Sequence, residues 1–167
     1  KWSVADCVDA GQENCVDMGK LKGIPHILSP DILHLLAVTG HGDEIVLADI
    51  NFPTHSICTA GGPKEYRADG LQIPALLDAI LTLMPLDNYV DSQVAVMNRT
   101  HRDVMLGVEV PILNEFRSIC NQHFGATVKI EFLERFEFYE RAKKTYAIIQ
   151  TGETAPYGNI LLKRGVC

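Results

Sequence analysis

Two apolar runs of four residues, Ile45-Val46-Leu47-Ala48 and Val94-Ala95-Val96-Met97, constrain this chain more than any other feature. Each is too short for a helix and is apolar on both faces of a pleat, the pattern of a strand covered from both sides. Helical periods stand around them. Ser29-Pro30-Asp31 supplies an N-cap, a proline at the first helical position and a first-turn acid, and Ile32, Leu33, Leu35 and Leu36 follow, up to Gly40. Leu76, Leu77, Ile80, Leu81, Leu83 and Met84 form a second apolar stripe, and Ile112, Leu113, Phe116 and Ile119 mark a third between Pro111 and His123. In all, strands are expected at 44–48, 94–97, 127–132, 146–150 and 159–162, with a short helix or turn over 135–144. Residues 51–56 and 98–103 read as loops. Helices alternating with strands predict an α/β fold with helices on the faces of a sheet.

The 167 residues suit a single domain, and a net charge of -6 argues against nucleic acid or an anionic membrane as partner. No apolar run approaches the ~18 residues of a membrane span. Cys7, Cys15, Cys58, Cys120 and Cys167 are odd in number and scattered, without zinc-site spacing, and read as reduced cytosolic thiols. Residues 1–17 lack either hydrophobic period and precede Met18. They are expected to be an extension outside the fold, with one domain over 18–167.

Gly40-His41-Gly42 leads into the first apolar run, and Asp49 closes it. Histidine is the side chain that most readily exchanges a proton near neutral pH, so a site at the two ends of this strand is one reading; a helix-capping His41 and a turn-starting Asp49 is the other. His55 falls either in the same pocket or on the exposed loop, while His26 and His34 read as surface or packing residues and Arg67 with Asp69 as a surface pair. Near the C-terminus, Tyr157 and Asn159 lie two apart around Gly158, which places both on one face of an extended segment. A set of His, Asp, Arg, Tyr and Asn, without a metal cluster, phosphate loop or activated nucleophile, fits proton shuffling on a polyhydroxylated molecule.

Four stretches carry a resemblance: GHGDEIVLADINFPTHS from Gly40, RADGL from Arg67, ERFEFYERAKKTYA from Glu134 and TGETAPYGNILLKRGV from Thr151. Together, over residues 18 to 167, they resemble the RbsD/FucU family, and its animal members in particular. The resemblance implies a three-layer α/β/α fold with a mixed, mostly parallel sheet. It also implies a cytoplasmic, cofactor-free and metal-free isomerase that interconverts the α and β anomers of L-fucose, with D-ribose pyranase activity or plain monosaccharide binding as alternatives. His41 would be the proton donor, and Asp49, Arg135, Tyr157 and Asn159 would bind the sugar. Asp49 and Tyr157 are also candidates for proton transfer. Self-association into a homo-oligomer, a decamer of stacked rings with sites near subunit boundaries, is implied as well. The stretches 59–63 and 98–110 match least well and leave subunit contacts and substrate preference open.

Overall fold

Ser29 caps the first helix, α1 (Pro30–Val38), through an Oγ that accepts the Ile32 N–H at 3.3 Å. The computed structural model describes residues 21–59 and 61–167; the extension expected at 1–17, and Met18, lie outside them. The strand expected after Gly40 is β1 (Glu44–Ala48). The chain continues through α2 (Thr54–Thr59), β2 (Lys64–Ala68), α3 (Ile73–Leu81), β3 (Val94–Met97), α4 (His101–Met105), α5 (Ile112–Phe124), β4 (Ile130–Leu133), α6 (Arg135–Ala142), β5 (Ala147–Thr151) and β6 (Ile160–Lys163).

Six strands form one sheet in the order β2-β5-β1-β6-β3-β4. β1 and β2 run parallel to β5, β3 runs parallel to β4, and β6 is antiparallel to both of its neighbours, β1 and β3. Five strands thus share one direction. Alternation splits β1 between two cores: Ile45 and Leu47 join Leu35, Leu76, Leu77 and Phe116 of α1, α3 and α5, while Val46 and Ala48 join Phe52, Ile57 and Phe138 on the side of α2 and α6. The result is the expected three-layer α/β/α arrangement.

Four elements differ from the sequence reading. The loop expected over 51–56 turns into α2, which starts directly after Pro53; its six residues are too few to show a helical period. β2 was not expected because Lys64, Glu65 and Arg67 interrupt it, yet it is an edge strand that buries only Tyr66 and Ala68. α4 arises inside the connection after β3: Thr100 Oγ1 accepts the Asp103 N–H at 3.3 Å, and none of its five residues is buried. The third expected strand begins later than read, at Ile130.

Candidate functional site

β6 opposes the other strands, so its amino end shares an edge of the sheet with the carboxyl ends of β1, β3 and β4. That is the edge where open α/β sheets place ligands. Asp49 follows β1, Met97 ends β3, Arg135 opens α6 just after β4, and Tyr157 and Asn159 precede β6. These residues, with Asn51, Phe52, Tyr139 and Pro156, line a cavity of about 180 Å³. At ~30 Å³ per water this equals about six waters, a volume suited to a small polar molecule.

Asp49 and Asn159 lock the cavity floor. The Asp49 N–H donates to Asn159 Oδ1 at 2.9 Å, and Asn159 Nδ2 donates to Asp49 Oδ2 at 2.6 Å. Asp49 Oδ1 accepts the Asn51 N–H at 2.9 Å. Burial raises the Asp49 carboxyl above its ordinary range, against the opposing pull of the Asn51 N–H, the Asn159 amide and the Phe52 N–H. Desolvation wins, which makes the carboxylate a better proton acceptor than an exposed one. Gln150 Nε2 donates to the Asp49 carbonyl at 2.6 Å and Thr151 Oγ1 to the Ala48 carbonyl at 2.8 Å, so the end of β1 is held from β5 as well.

Tyr157 adopts a left-handed backbone, φ 59°, a costly conformation for a bulky residue and one that collects at functional sites. Residues 155–158 therefore form a turn, closed by Gly158 N–H to the Ala155 carbonyl at 3.1 Å, and not the extended segment expected from spacing. A Cβ on Gly158 would lie 2.8 Å from the Ala155 carbonyl oxygen. Buried Glu153 organises the same turn: its carboxylate accepts the N–H groups of Ile73, Thr154 and Ala155 at 3.2, 2.9 and 2.8 Å. The Tyr157 hydroxyl donates to Asp103 Oδ2 and accepts the Thr100 N–H at 3.1 Å. That bond holds the Asp103 carboxyl below its ordinary value.

Arg135 is exposed, its guanidinium carbon 4.6 Å from the Phe136 ring centre. Phe52 and Phe136 both meet Tyr139 edge-on, at 5.3 and 6.2 Å. Tyr139 was missed in the sequence, where it reads as one of several aromatics on a charged helix. Its pKa is raised, first by burial.

His41 stands elsewhere. It precedes β1 and so occupies the opposite edge of the sheet, separated from Asp49 by the whole strand, about 13 Å at ~3.3 Å per residue. Of its flanking glycines only Gly42 has positive φ, 85°, where its N–H donates to the Arg164 carbonyl at 2.9 Å. Its ring faces Asp87 and Tyr89, neither of which carried any motif in the sequence. One chain thus gathers Asp49, Arg135, Tyr157 and Asn159 but not His41. His55 lies on α2, 80% exposed and bound to Glu65 at 2.9 Å. Arg67 and Asp69 are the surface pair expected, at 2.5 Å, and His26 and His34 are exposed.

Two larger hollows, about 450 and about 360 Å³, have other linings, the second sharing only Phe52 with this cavity. On their linings Arg99 donates to the Val108 carbonyl and Arg67 pairs with Glu65 and Asp69. Among the described residues, no three His, Cys, Asp or Glu side chains converge as metal ligands would. Nor is any described helix long and apolar enough to cross a membrane.

The profile of the RbsD / FucU transport protein family matches residues 22–167. The chain belongs to the RbsD/FucU family. Within it, the chain is 54% identical over 149 residues to the fucose mutarotase of Homo sapiens, covering 89% of this chain and 96% of that one. It is 48% identical over 147 residues to the L-fucose mutarotase of Glaesserella parasuis, covering 87% and 95%. Among solved RbsD/FucU structures, the fucose mutarotase of Streptococcus pneumoniae in complex with L-fucose superposes with a TM-score of 0.79 at 48% identity, covering 88% and 99%. RbsD of Bacillus subtilis complexed with D-ribose gives 0.61 at 25% identity, covering 84% and 95%.

Proposed function

We infer that this chain is an isomerase that interconverts the α and β anomers of L-fucose by opening and reclosing the pyranose ring. The observation that carries this reading is the meeting of Asp49, Arg135, Tyr157 and Asn159 around one small polar cavity, in a chain of this family.

Ring opening needs two proton transfers. The anomeric hydroxyl gives up its proton as the bond from C1 to the ring oxygen breaks and the aldehyde forms; the ring oxygen takes a proton as it leaves. Rotation about the bond from C1 to C2 and reclosure in reverse yield the other anomer. In the proposed division of roles Asp49, a carboxylate strengthened by burial, accepts the anomeric proton. Asn159 holds that carboxylate in register. Arg135 and Tyr157 bind sugar hydroxyls, Tyr157 through an oxygen whose proton goes to Asp103 and which also accepts the Thr100 N–H. His41 donates to the ring oxygen.

Because His41 lies a strand's length from Asp49, the proposed site is completed by the His41 edge of a second copy. A homo-oligomer, expected as a decamer, is therefore part of the proposal, as are a single domain over 18–167 and a cytoplasmic location. The last is supported by free thiols at Cys58, Cys120 and Cys167.

Saturation-transfer NMR on equilibrated L-fucose anomers tests the reading. Wild-type protein should transfer saturation between the two anomeric protons; His41→Ala and Asp49→Asn should each abolish it, and a mixture of the two variants should recover part of it through hybrid sites. No transfer above buffer with wild-type protein would overturn the reading. D-ribose in the same measurement tests the second reading, which is supported by the likeness to a family member complexed with D-ribose.

A further inference from the structure

β3 ends between two cavities on opposite faces of the sheet. Met97 lines the small cavity at Asp49, while its neighbour Val96 lines a separate hollow of about 450 Å³. Phe132 on β4 is in register with Val96, and β4 is the edge of the sheet. The far wall is Val110, Pro111 and Leu113, where the chain enters α5. Phe132 is 48% exposed, so an aromatic ring is left bare on the lining of this hollow. Its volume falls within the ~300–1,000 Å³ of small-molecule sites.

The polar groups on the lining are of three kinds. Arg99 and Arg117 are cations. Among the described residues no ion pair forms at either, whereas Arg67 and Arg141 each hold two acids. Arg99 donates one N–H to the Val108 carbonyl at 2.7 Å, which leaves the rest of its guanidinium for a ligand. Asn98 and Asn114 are neutral amides. Asn98 Oδ1 accepts the Arg99 N–H at 2.9 Å, so its Nδ2 remains to donate, and Asn114 stands one turn before Arg117 on the same face of α5. Glu109 is the one acid on the lining and can only accept. Two cations against one acid make the hollow locally positive in a chain of net charge -6.

We propose that this hollow is a second ligand site, separate from the cavity at Asp49, and that it binds a sugar phosphate. Each part of such a ligand meets a matching group. A phosphate monoester carries about -1.5 to -2 charges at pH 7 and three acceptor oxygens, which suits two arginine forks without acids of their own; a carboxylate carries a single charge. Sugar hydroxyls donate to Glu109 and exchange hydrogen bonds with Asn98 and Asn114. The C–H face of a pyranose, slightly positive, rests on the negative face of the bare Phe132 ring. Inorganic phosphate would engage the arginines and leave the ring and both amides without a partner.

The probe is L-fucose 1-phosphate, whose ring cannot open because its anomeric oxygen is esterified. It is titrated into the full-length protein in an excess of L-fucose, with backbone and side-chain amides followed by NMR. Expected are saturable shifts at Asn98, Asn114 and Phe132, and binding that weakens as salt is raised. Arg117 is exposed on α5, so Arg117→Ala should fold as wild type and bind the ester at least tenfold more weakly, and Arg117→Lys should recover part of the loss. Absence of saturable shifts, shifts confined to Asp49, Tyr157 and Asn159, or undiminished binding by Arg117→Ala would overturn the proposal. So would inorganic phosphate that binds as tightly as the ester, which would mean an adventitious ion only. A changed subunit count in Arg117→Ala with ester binding unaltered would make the hollow a contact between copies and overturn it too. Binding is read without anomer exchange: wild-type protein that exchanges nothing sinks the mutarotase reading, and this proposal stands or falls on the titration alone.

Discussion

Asn159 bonds Asp49 through both ends of its amide: its carbonyl takes the Asp49 N–H at 2.9 Å while its Nδ2 donates to the Asp49 carboxylate at 2.6 Å. Both residues are buried. Asn159→Ala therefore leaves a backbone donor and a carboxylate oxygen unpaired at once, and unsatisfied buried groups cost about 1–3 kcal/mol each. The variant should lose about 2–6 kcal/mol of stability by denaturant titration, the cost of two such groups, and should lose anomer exchange as well. Preserved stability would mean that water replaces the amide on both sides.

Asp49 also sets a pH dependence. Its folded-state pKa is raised above the ordinary 3.8, with burial the first cause. The folded chain binds this proton more tightly than the unfolded chain, so the group's contribution to stability is fully present below 3.8 and is lost as pH rises through the folded-state value. Asp49→Asn should remove that slope from stability measured against pH. Exchange runs the other way, because a base must be ionised: on acidification the rate should begin to fall while still above pH 3.8. An acid limb centred below 3.8 would show that Asp49 is not the base.

What could be read in the sequence was whatever depends on near neighbours. β1 and β3 are apolar on both faces, and α1 announces its start through Ser29-Pro30-Asp31, so those elements emerge from a few adjacent residues. β2 did not, because an edge strand needs only Tyr66 and Ala68 inward and leaves its other positions to charge. α2 and α4 are held by the local turn after Pro53 and by the Thr100 cap, and are shorter than two helical turns. At the site, the resemblance named Asp49 and Asn159, but their hydrogen bonds span 110 positions and are invisible to any local pattern. Asp87 was missed for the same reason: an aspartate in a loop looks ordinary until the link from the Gly165 N–H to the Pro85 carbonyl sets it against His41.

Tyr157 and Asp103 join the C-terminal turn to α4. Tyr157→Phe deletes the hydroxyl that donates to Asp103 and accepts the Thr100 N–H. The cap from Thr100 Oγ1 to the Asp103 N–H remains, so α4 should keep its helical turn. Expected are a reduced exchange rate, a weaker dependence of rate on L-fucose concentration, and an Asp103 carboxyl that titrates higher than in wild-type protein, read by NMR. An Asp103 titration unmoved by the substitution would show that its lowered pKa has another source.

Glu153 is the test of whether the turn proposed to bind the sugar is built or merely tolerated. Its buried carboxylate serves three backbone donors from two directions, Ile73 at the start of α3 and Thr154 and Ala155 in the turn itself. A helix start and a turn that carries a left-handed Tyr157 are thereby fixed to one another. Glu153→Ala should strand all three N–H groups and cost about 3 kcal/mol or more, because each buried unpaired donor costs ~1–3 kcal/mol. Glu153→Gln keeps one acceptor oxygen and should lose less. If the turn depends on this carboxylate, L-fucose affinity should fall in the same order, Ala below Gln below wild type, even at temperatures where all three proteins are folded. Equal affinities in the three proteins would assign the shape of the turn to Gly158 and the strained Tyr157 alone.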